Sequence, residues 1–303
     1  MSLGKWKRRL LVVLLWPLPG ARARHVYRWL RGREAAGRLR RAEVVVVSDA
    51  KSGRTWLRVM LSRVYQQRHD LPETALLKLD NLHRRAAEVP RVFFTHDNDL
   101  GKYLGTRDPA VCYAGKKVVL LVRDPRDVAV SMYFQWTHRM AASKKVFSAR
   151  DRREMTVSEF VLGEGGKIRM SIDFLNRWAR ALPRMPDVLV LRYEDLRRDP
   201  AGRLGEVLAF MGTPARAQEL AAAVAYADLE AMRAREARPG SGTPRRLRPG
   251  DQGNRESFKT RRGKIGGYRD YFTDEEAARL DAIVARRLAP VFGYTEADTE
   301  ACA

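Results

Sequence analysis

The sequence predicts an α/β fold: a single domain with a central, mainly parallel β-sheet flanked by helices. Three observations carry that expectation. Short runs rich in β-branched residues recur at 44–47, 92–95, 117–122 and 188–191, helical patterns separate them, and the first run enters a glycine-containing turn at once. Apolar runs without alternation are the pattern of strands buried on both faces. Alternating strands and helices argue for parallel pairing through right-handed crossovers. Ligands of such sheets collect at the carboxyl ends of the strands.

Residues 1–40 read as a basic, partly helical leader. Lys5, Lys7, Arg8 and Arg9 precede an apolar stretch from Leu10 to Trp16, followed by Pro17, Pro19 and Gly20. Three readings of it stay open: a signal peptide with a short apolar core, a basic segment lying on an anionic membrane surface, or a segment folded against the domain. No run of eighteen apolar residues occurs, so no conventional spanning helix is expected. The domain itself is placed at 41–295, with a tail at 296–303. Within it, helical patterns cover 55–68, 127–140, 167–182, 201–210, 215–236 and 275–288. Residues 238–253 are rich in Pro, Gly, Arg and Ser and read as a mobile loop with the composition of a lid.

The balance of 58 Lys and Arg against 36 Asp and Glu gives a net charge of +22, which favours anionic partners. Those charges are spread along all 303 residues, so much of the excess is a general preference for arginine. The two cysteines, Cys112 and Cys302, stand far apart, which excludes a zinc–cysteine site or a disulfide framework and fits a reducing compartment. The five histidines have no metal-ligand spacing, and no metal is expected. Cytoplasmic placement follows, peripheral to the inner membrane face if the leader docks there.

The first strand runs into Ser48-Asp-Ala-Lys51-Ser52-Gly53-Arg54-Thr55-Trp56. A helix start offers unpaired N–H groups and the positive end of the macrodipole, so this turn reads as an anion cradle. Lys51 adds a point charge, and the Ser52 and Thr55 hydroxyls add donors. The order differs from a Walker A loop, in which lysine follows the last glycine. The second strand ends at Thr95-His96, and an imidazole at a strand's carboxyl end is a candidate general base. Arg123 stands at the end of the third strand, eight residues before Ser131, where it is placed to fork onto a phosphate. Asp124 beside it imitates a Walker B carboxylate. Near the C-terminus, Arg261-Arg262-Gly263 with Lys264 and Tyr268 reads as a phosphate-wrapping loop.

Together these segments resemble the cytosolic-type sulfotransferases that use 3′-phosphoadenosine 5′-phosphosulfate (PAPS). Lys51-Ser-Gly-Arg-Thr-Trp-Leu is similar to that family's P-loop-like 5′-phosphosulfate loop. Arg123 and Ser131 are similar to its 3′-phosphate motif, Tyr193-Glu-Asp-Leu to another of its segments, and Arg261-Arg262-Gly263 to its closing loop. These matches run in the family's order from about residue 43 to 290. The resemblance implies His96 as catalytic base and Lys51 as the group that steadies the leaving phosphate oxygen. It implies that Ser52, Gly53, Arg54 and Thr55 line the phosphosulfate cradle, that Trp56 stacks on adenine and that Tyr193 contacts the base. Arg123, Ser131, Arg261, Arg262 and Gly263 would grip the 3′-phosphate.

Several positions depart from the family pattern. Phe94 stands where lysine is frequent, Arg54 where threonine is, and Gly267-Tyr268 where Asp-Trp is common. Ala227 and Leu229 replace a hydroxyl and an aromatic beside adenine. No counterpart of the family's C-terminal dimerisation motif is found, and the oligomeric state stays open. The function expected is sulfuryl transfer from PAPS to an acceptor hydroxyl, secondarily an amine, without a metal. The basic leader points to a lipid or saccharide acceptor and a peripheral membrane contact. Nucleic acid is not an expected partner. The alternatives are a Mg²⁺-dependent P-loop small-molecule kinase using Asp124, and a non-enzymatic binder of anions or nucleic acid with strongly salt-dependent binding.

Overall fold

The computed structural model describes residues 20–139, 155–237, 251, 253–258 and 260–295. Four strands, β1 (Val44–Ser48), β2 (Val92–Thr95), β3 (Lys117–Val122) and β4 (Val188–Arg192), form one sheet in the order β2-β1-β3-β4, all parallel. Parallel pairing buries the sheet between two layers, and the period-two alternation of side chains divides its core. Val45, Val47, Val118, Leu120 and Val122 face one apolar cluster, completed by Ile172, Leu175 and Trp178 of the helix Lys167–Ala181. Val44, Val46, Val119, Leu121 and Leu191 face the other, with Leu57, Leu61 and Val64 of the helix Arg54–Arg68 and Leu204 and Leu208 of the helix Pro200–Phe210. Every residue of β1 is buried, which is why a run of four valines suits it.

Structure and sequence differ in three elements. The fourth strand is not buried on both faces; Val190 is 38% exposed, because β4 is an edge of the sheet. The helix expected at 127–140 runs from Pro125 to Phe134, with Asp124 capping its N-terminus, and continues as a π turn over Gln135–Arg139. The single helix expected at 215–236 is two, Ala217–Tyr226 and Leu229–Ala237. They part at Ala227, whose carbonyl accepts the indole N–H of Trp56 at 2.9 Å, and Asp228, whose side chain accepts from the Glu230 amide.

The second half of the basic leader forms the helix Gly20–Arg41, which packs on the short helix Leu100–Leu104. Gly32 makes that approach close: a Cβ there would lie 2.4 Å from the Asp99 carbonyl oxygen. Arg28 donates to the Asp99 carboxylate and to the Asn98 carbonyl, which ties the same two segments together. Residues 1–19, the tail 296–303 and most of the loop expected at 238–253 lie outside the described residues. The segment 71–89 is part of the core: Leu76, Leu77, Leu82 and Val89 are buried in the same cluster as Tyr65.

Candidate active site

Three strands hand over directly to a candidate functional residue. His96 follows the last residue of β2, Arg123 follows β3 and Tyr193 follows β4, while β1 enters the loop 49–53. Because the strands are parallel and in register, these groups stand in a row along one rim of the sheet. The chain leaves β1 toward β2 on one side and continues beyond β3 on the other, so the rim between β1 and β3 is the topological switch point.

Loop 49–53 is held from both ends. Asp49 accepts Lys167 Nζ at 2.6 Å and Ser171 Oγ at 2.7 Å, which anchors the loop to the helix Lys167–Ala181. Lys51 has φ of 76° and Gly53 of 87°, so the backbone turns through the left-handed region twice within three residues. For Lys51 that conformation is strained, a feature concentrated at functional sites. At Gly53 a side chain is excluded outright: an added Cβ would lie 2.5 Å from the ring of Tyr193. The Tyr193 ring in turn carries the Arg123 guanidinium 4.2 Å from its centroid.

Arg123 links the two halves of the site. Its Nη1 donates to the Lys51 carbonyl at 3.3 Å, and its Nη2 donates to Asp127 Oδ2 at 3.0 Å and to the Lys264 carbonyl at 3.1 Å. Asp127 is the joint beneath it, since its carboxylate also accepts the amides of Gly266 and Tyr268 at 3.1 and 3.0 Å. Burial raises the Asp127 pKa, and the neighbouring Arg123 opposes that rise. The loop carrying Gly266 and Tyr268 is thereby fixed to Arg123 through one carboxylate.

The aromatic end of the rim is set by Trp56. Its ring meets Tyr193 edge to face at 6.0 Å, and the Arg197 guanidinium lies 5.4 Å from its centroid. At the other end, His96 Nδ1 lies 3.1 Å from the Ser48 carbonyl oxygen and Nε2 lies 2.6 Å from Arg54 Nη2. A carbonyl only accepts, so Nδ1 carries the ring proton and Nε2 presents its lone pair. That is the tautomer a general base requires.

These residues line one cavity of about 530 Å³. Of the positions expected from the sequence, Lys51, Gly53, Arg54, Thr55, Trp56, His96, Arg123, Ser131, Tyr193, Arg261, Arg262 and Gly263 all border it. Ser52 does not; its side chain is buried under the loop. Arg261 pairs with Glu256 and Tyr271 and lies over the Phe134 ring at 4.0 Å, and Arg262 is held outward by Asp270 at 2.9 Å. Phe94 is turned away from the cavity lining and supports the Arg58 guanidinium 3.8 Å above its ring. Asp124 is clamped by Arg126 through three hydrogen bonds of 2.8–3.1 Å and does not border the cavity, which removes the carboxylate the kinase reading needs.

The crowding of cations shows in Lys51. Burial, then repulsion from Arg139, Arg123 and Arg261, pulls its pKa down from 10.5 to about 7, against a smaller opposing pull from Glu236. A lysine depressed this far by burial and by neighbouring charge, within a cleft, is a functional-site signal. Asp127, Gln135 and Arg139 are neighbours of Lys51 and Arg123 that sequence reading did not single out. Gln135 accepts Lys51 Nζ at 3.5 Å from the π turn, a distortion often found at functional sites. Among the described residues, no group of three or more His, Cys, Asp or Glu is arranged to hold a metal ion.

The model of the sulfotransferase domain matches residues 41–292, most of the chain. This protein belongs to the sulfotransferase family. It is therefore an enzyme of the sulfuryl-transferring class. The chain is 26% identical to cytosolic sulfotransferase 3 of Arabidopsis thaliana, covering 81% of this sulfotransferase and 76% of the relative. It is likewise 26% identical to flavonol 3-sulfotransferase of Flaveria bidentis, with 81% of each chain covered. Among solved structures, the mouse sulfotransferase SULT7A1 complexed with PAP superposes with a TM-score of 0.51 at 19% identity, over 84% of this chain and 89% of that one. At that identity the likeness speaks for the fold, and the fold agrees with the parallel sheet described above.

Proposed function

We propose that this sulfotransferase moves the sulfuryl group of PAPS to the hydroxyl of a small-molecule acceptor, or secondarily to an amine, with His96 as base. One observation carries the reading: a single cavity joins Lys51 and Arg123, the two anion-binding positions, through a direct 3.3 Å hydrogen bond at the switch point of the sheet. A donor charged at both its 5′ and 3′ ends matches that arrangement. Lys51 and the loop amides up to Thr55 would hold the 5′-phosphosulfate, Arg123, Ser131, Arg261, Arg262 and Gly263 the 3′-phosphate, and Trp56 and Tyr193 the adenine. The relatives, a cytosolic sulfotransferase and a flavonol 3-sulfotransferase, favour a cytoplasmic enzyme and a small organic alcohol over a saccharide. The basic N-terminal leader is proposed, from its sequence, to contact an anionic membrane surface.

In the reaction, His96 Nε2 accepts the hydroxyl proton while the acceptor oxygen forms a bond to sulfur. The bond from sulfur to the bridging oxygen breaks, its electron pair stays on the 5′-phosphate, and Lys51 steadies that charge. A transferring sulfuryl carries less negative charge than a phosphoryl, so cationic side chains can serve where kinases use a metal.

Calorimetry with PAP and with adenosine 5′-phosphate tests the nucleotide assignment. Loss of the 3′-phosphate is expected to weaken binding at least ~10-fold, the scale of one or two charge-assisted hydrogen bonds. Equal affinity for the two nucleotides would refute it. Transfer of ³⁵S from labelled PAPS to phenols, sterols and saccharides then identifies the acceptor.

Lys51 adds a pH signature. In the free protein its folded pKa of about 7 lies below the ordinary 10.5, so between those values the unfolded chain holds a proton that the folded one has released. Stability of the unliganded protein should therefore rise with pH across that window. Bound anion returns the proton. At pH 8.5, where the ligand phosphates (second pKa about 6) are ionised, PAP binding should take up close to one proton. Binding enthalpies measured in buffers of different ionisation heat read this uptake; no dependence on buffer would contradict it.

A further inference from the structure

The contact between Arg54 and His96 has no place in the reaction as written. Nδ1 of His96 is committed to the Ser48 carbonyl, so Nε2 is the sole nitrogen able to accept a proton, and its one lone pair faces Arg54 Nη2 at 2.6 Å. A guanidinium stays protonated at all relevant pH and acts only as a donor. A general base must come within ~2.6–3.2 Å of the hydroxyl it deprotonates. Arg54 stands in that shell. With Arg54 in this position His96 has nothing with which to accept the acceptor's proton.

The position of Arg54 in the chain suggests what releases it. It is the first residue of the helix Arg54–Arg68, directly after the left-handed Gly53, and it borders the same cavity as Lys51 three residues earlier. A guanidinium facing an anionic oxygen gains charge–charge attraction and a bidentate geometry that a neutral imidazole cannot offer it. An anionic sulfuryl group delivered to Lys51 enters the cavity that Arg54 already borders.

We propose that Arg54 covers the base nitrogen of His96 in the empty enzyme and transfers to the sulfuryl oxygens when PAPS binds. Arg54 is then a catalytic residue with two successive partners. The base is uncovered only after the donor is seated, which imposes donor-first order and leaves an acceptor bound alone unactivated. The same guanidinium, once on the sulfuryl group, stabilises the charge shared among its oxygens during transfer. This inference rests on the PAPS reading above.

Imidazole ¹⁵N spectra of the full chain, titrated with PAPS while calorimetry follows binding, test it. In the wild type, saturation with PAPS should move the His96 Nε2 resonance away from its empty-state position. Arg54→Thr should show a displaced Nε2 resonance before any ligand is added, and PAPS should move it less than half as far. The same variant should lose ~10²-fold in kcat, as when one transition-state donor is removed, with PAP affinity within about threefold, and Arg54→Lys should recover part of both kcat and the shift. PAPS that binds without moving the wild-type resonance overturns the inference and leaves the proposed function standing. An Arg54→Thr spectrum identical to wild type in the empty state overturns it equally. If PAPS gives no binding heat, the proposed function falls and this inference with it.

Discussion

Replacing His96 with alanine is expected to reduce turnover by ~10²–10⁴-fold, the usual contribution of a positioned general base. PAP affinity should stay within a few-fold of wild type, because the imidazole meets the Ser48 carbonyl and Arg54 and belongs to neither anion cradle. Initial rates with labelled PAPS and calorimetry with PAP measure the two halves separately. The backbone around His96 supports this separation: β2 pairs with β1 up to Thr95, so removing the ring leaves the ladder intact. Turnover close to wild type would show that another group takes the proton.

Replacing Lys51 with methionine should move activity and stability in opposite directions. Loss of a donor to the leaving oxygen should lower kcat by ~10²–10³-fold. The unliganded protein should nevertheless become more stable at pH 7 and below. There the lysine is charged against burial and against Arg139, Arg123 and Arg261, and methionine carries no charge to confine. A gain of 1 kcal/mol in a domain of this size raises Tm by about 2–4 °C. Thermal scans with and without PAP test it: the variant should start higher and gain less from the ligand. A variant less stable than wild type without ligand would mean that the lysine stem, through packing, outweighs the buried charge. Such an exchange is typical where a site is strained for function.

How much could be read in advance follows from where the information lies in the chain. Tyr193 was legible because its segment resembles the family's, and His96 and Arg123 because each is the next residue after a strand-like run, so strand end and chemistry adjoin. Loop 49–56 was legible for the same reason. Asp127 was not: it sits four residues from Arg123, but its other partners, Gly266 and Tyr268, come from 140 residues away, and no local spacing announces them. The break at Ala227 was equally hidden, since 215–236 carries good helix formers and the carbonyl is claimed by an indole from residue 56. The exposure of Val190 depends on strand order, which a buried-looking run of apolar residues does not encode. Ser52 belongs to a recognisable motif, but which motif side chains turn inward is decided by two left-handed residues on either side of it.

The ring of Tyr193 fills the space where residue 53 would carry its first side-chain atom. Positions 53 and 193 are thus mutually exclusive in bulk although 140 residues separate them. Natural drift at one of them is closed while the other stays as it is, and descendants of this sequence should keep the glycine and the tyrosine together or lose them together.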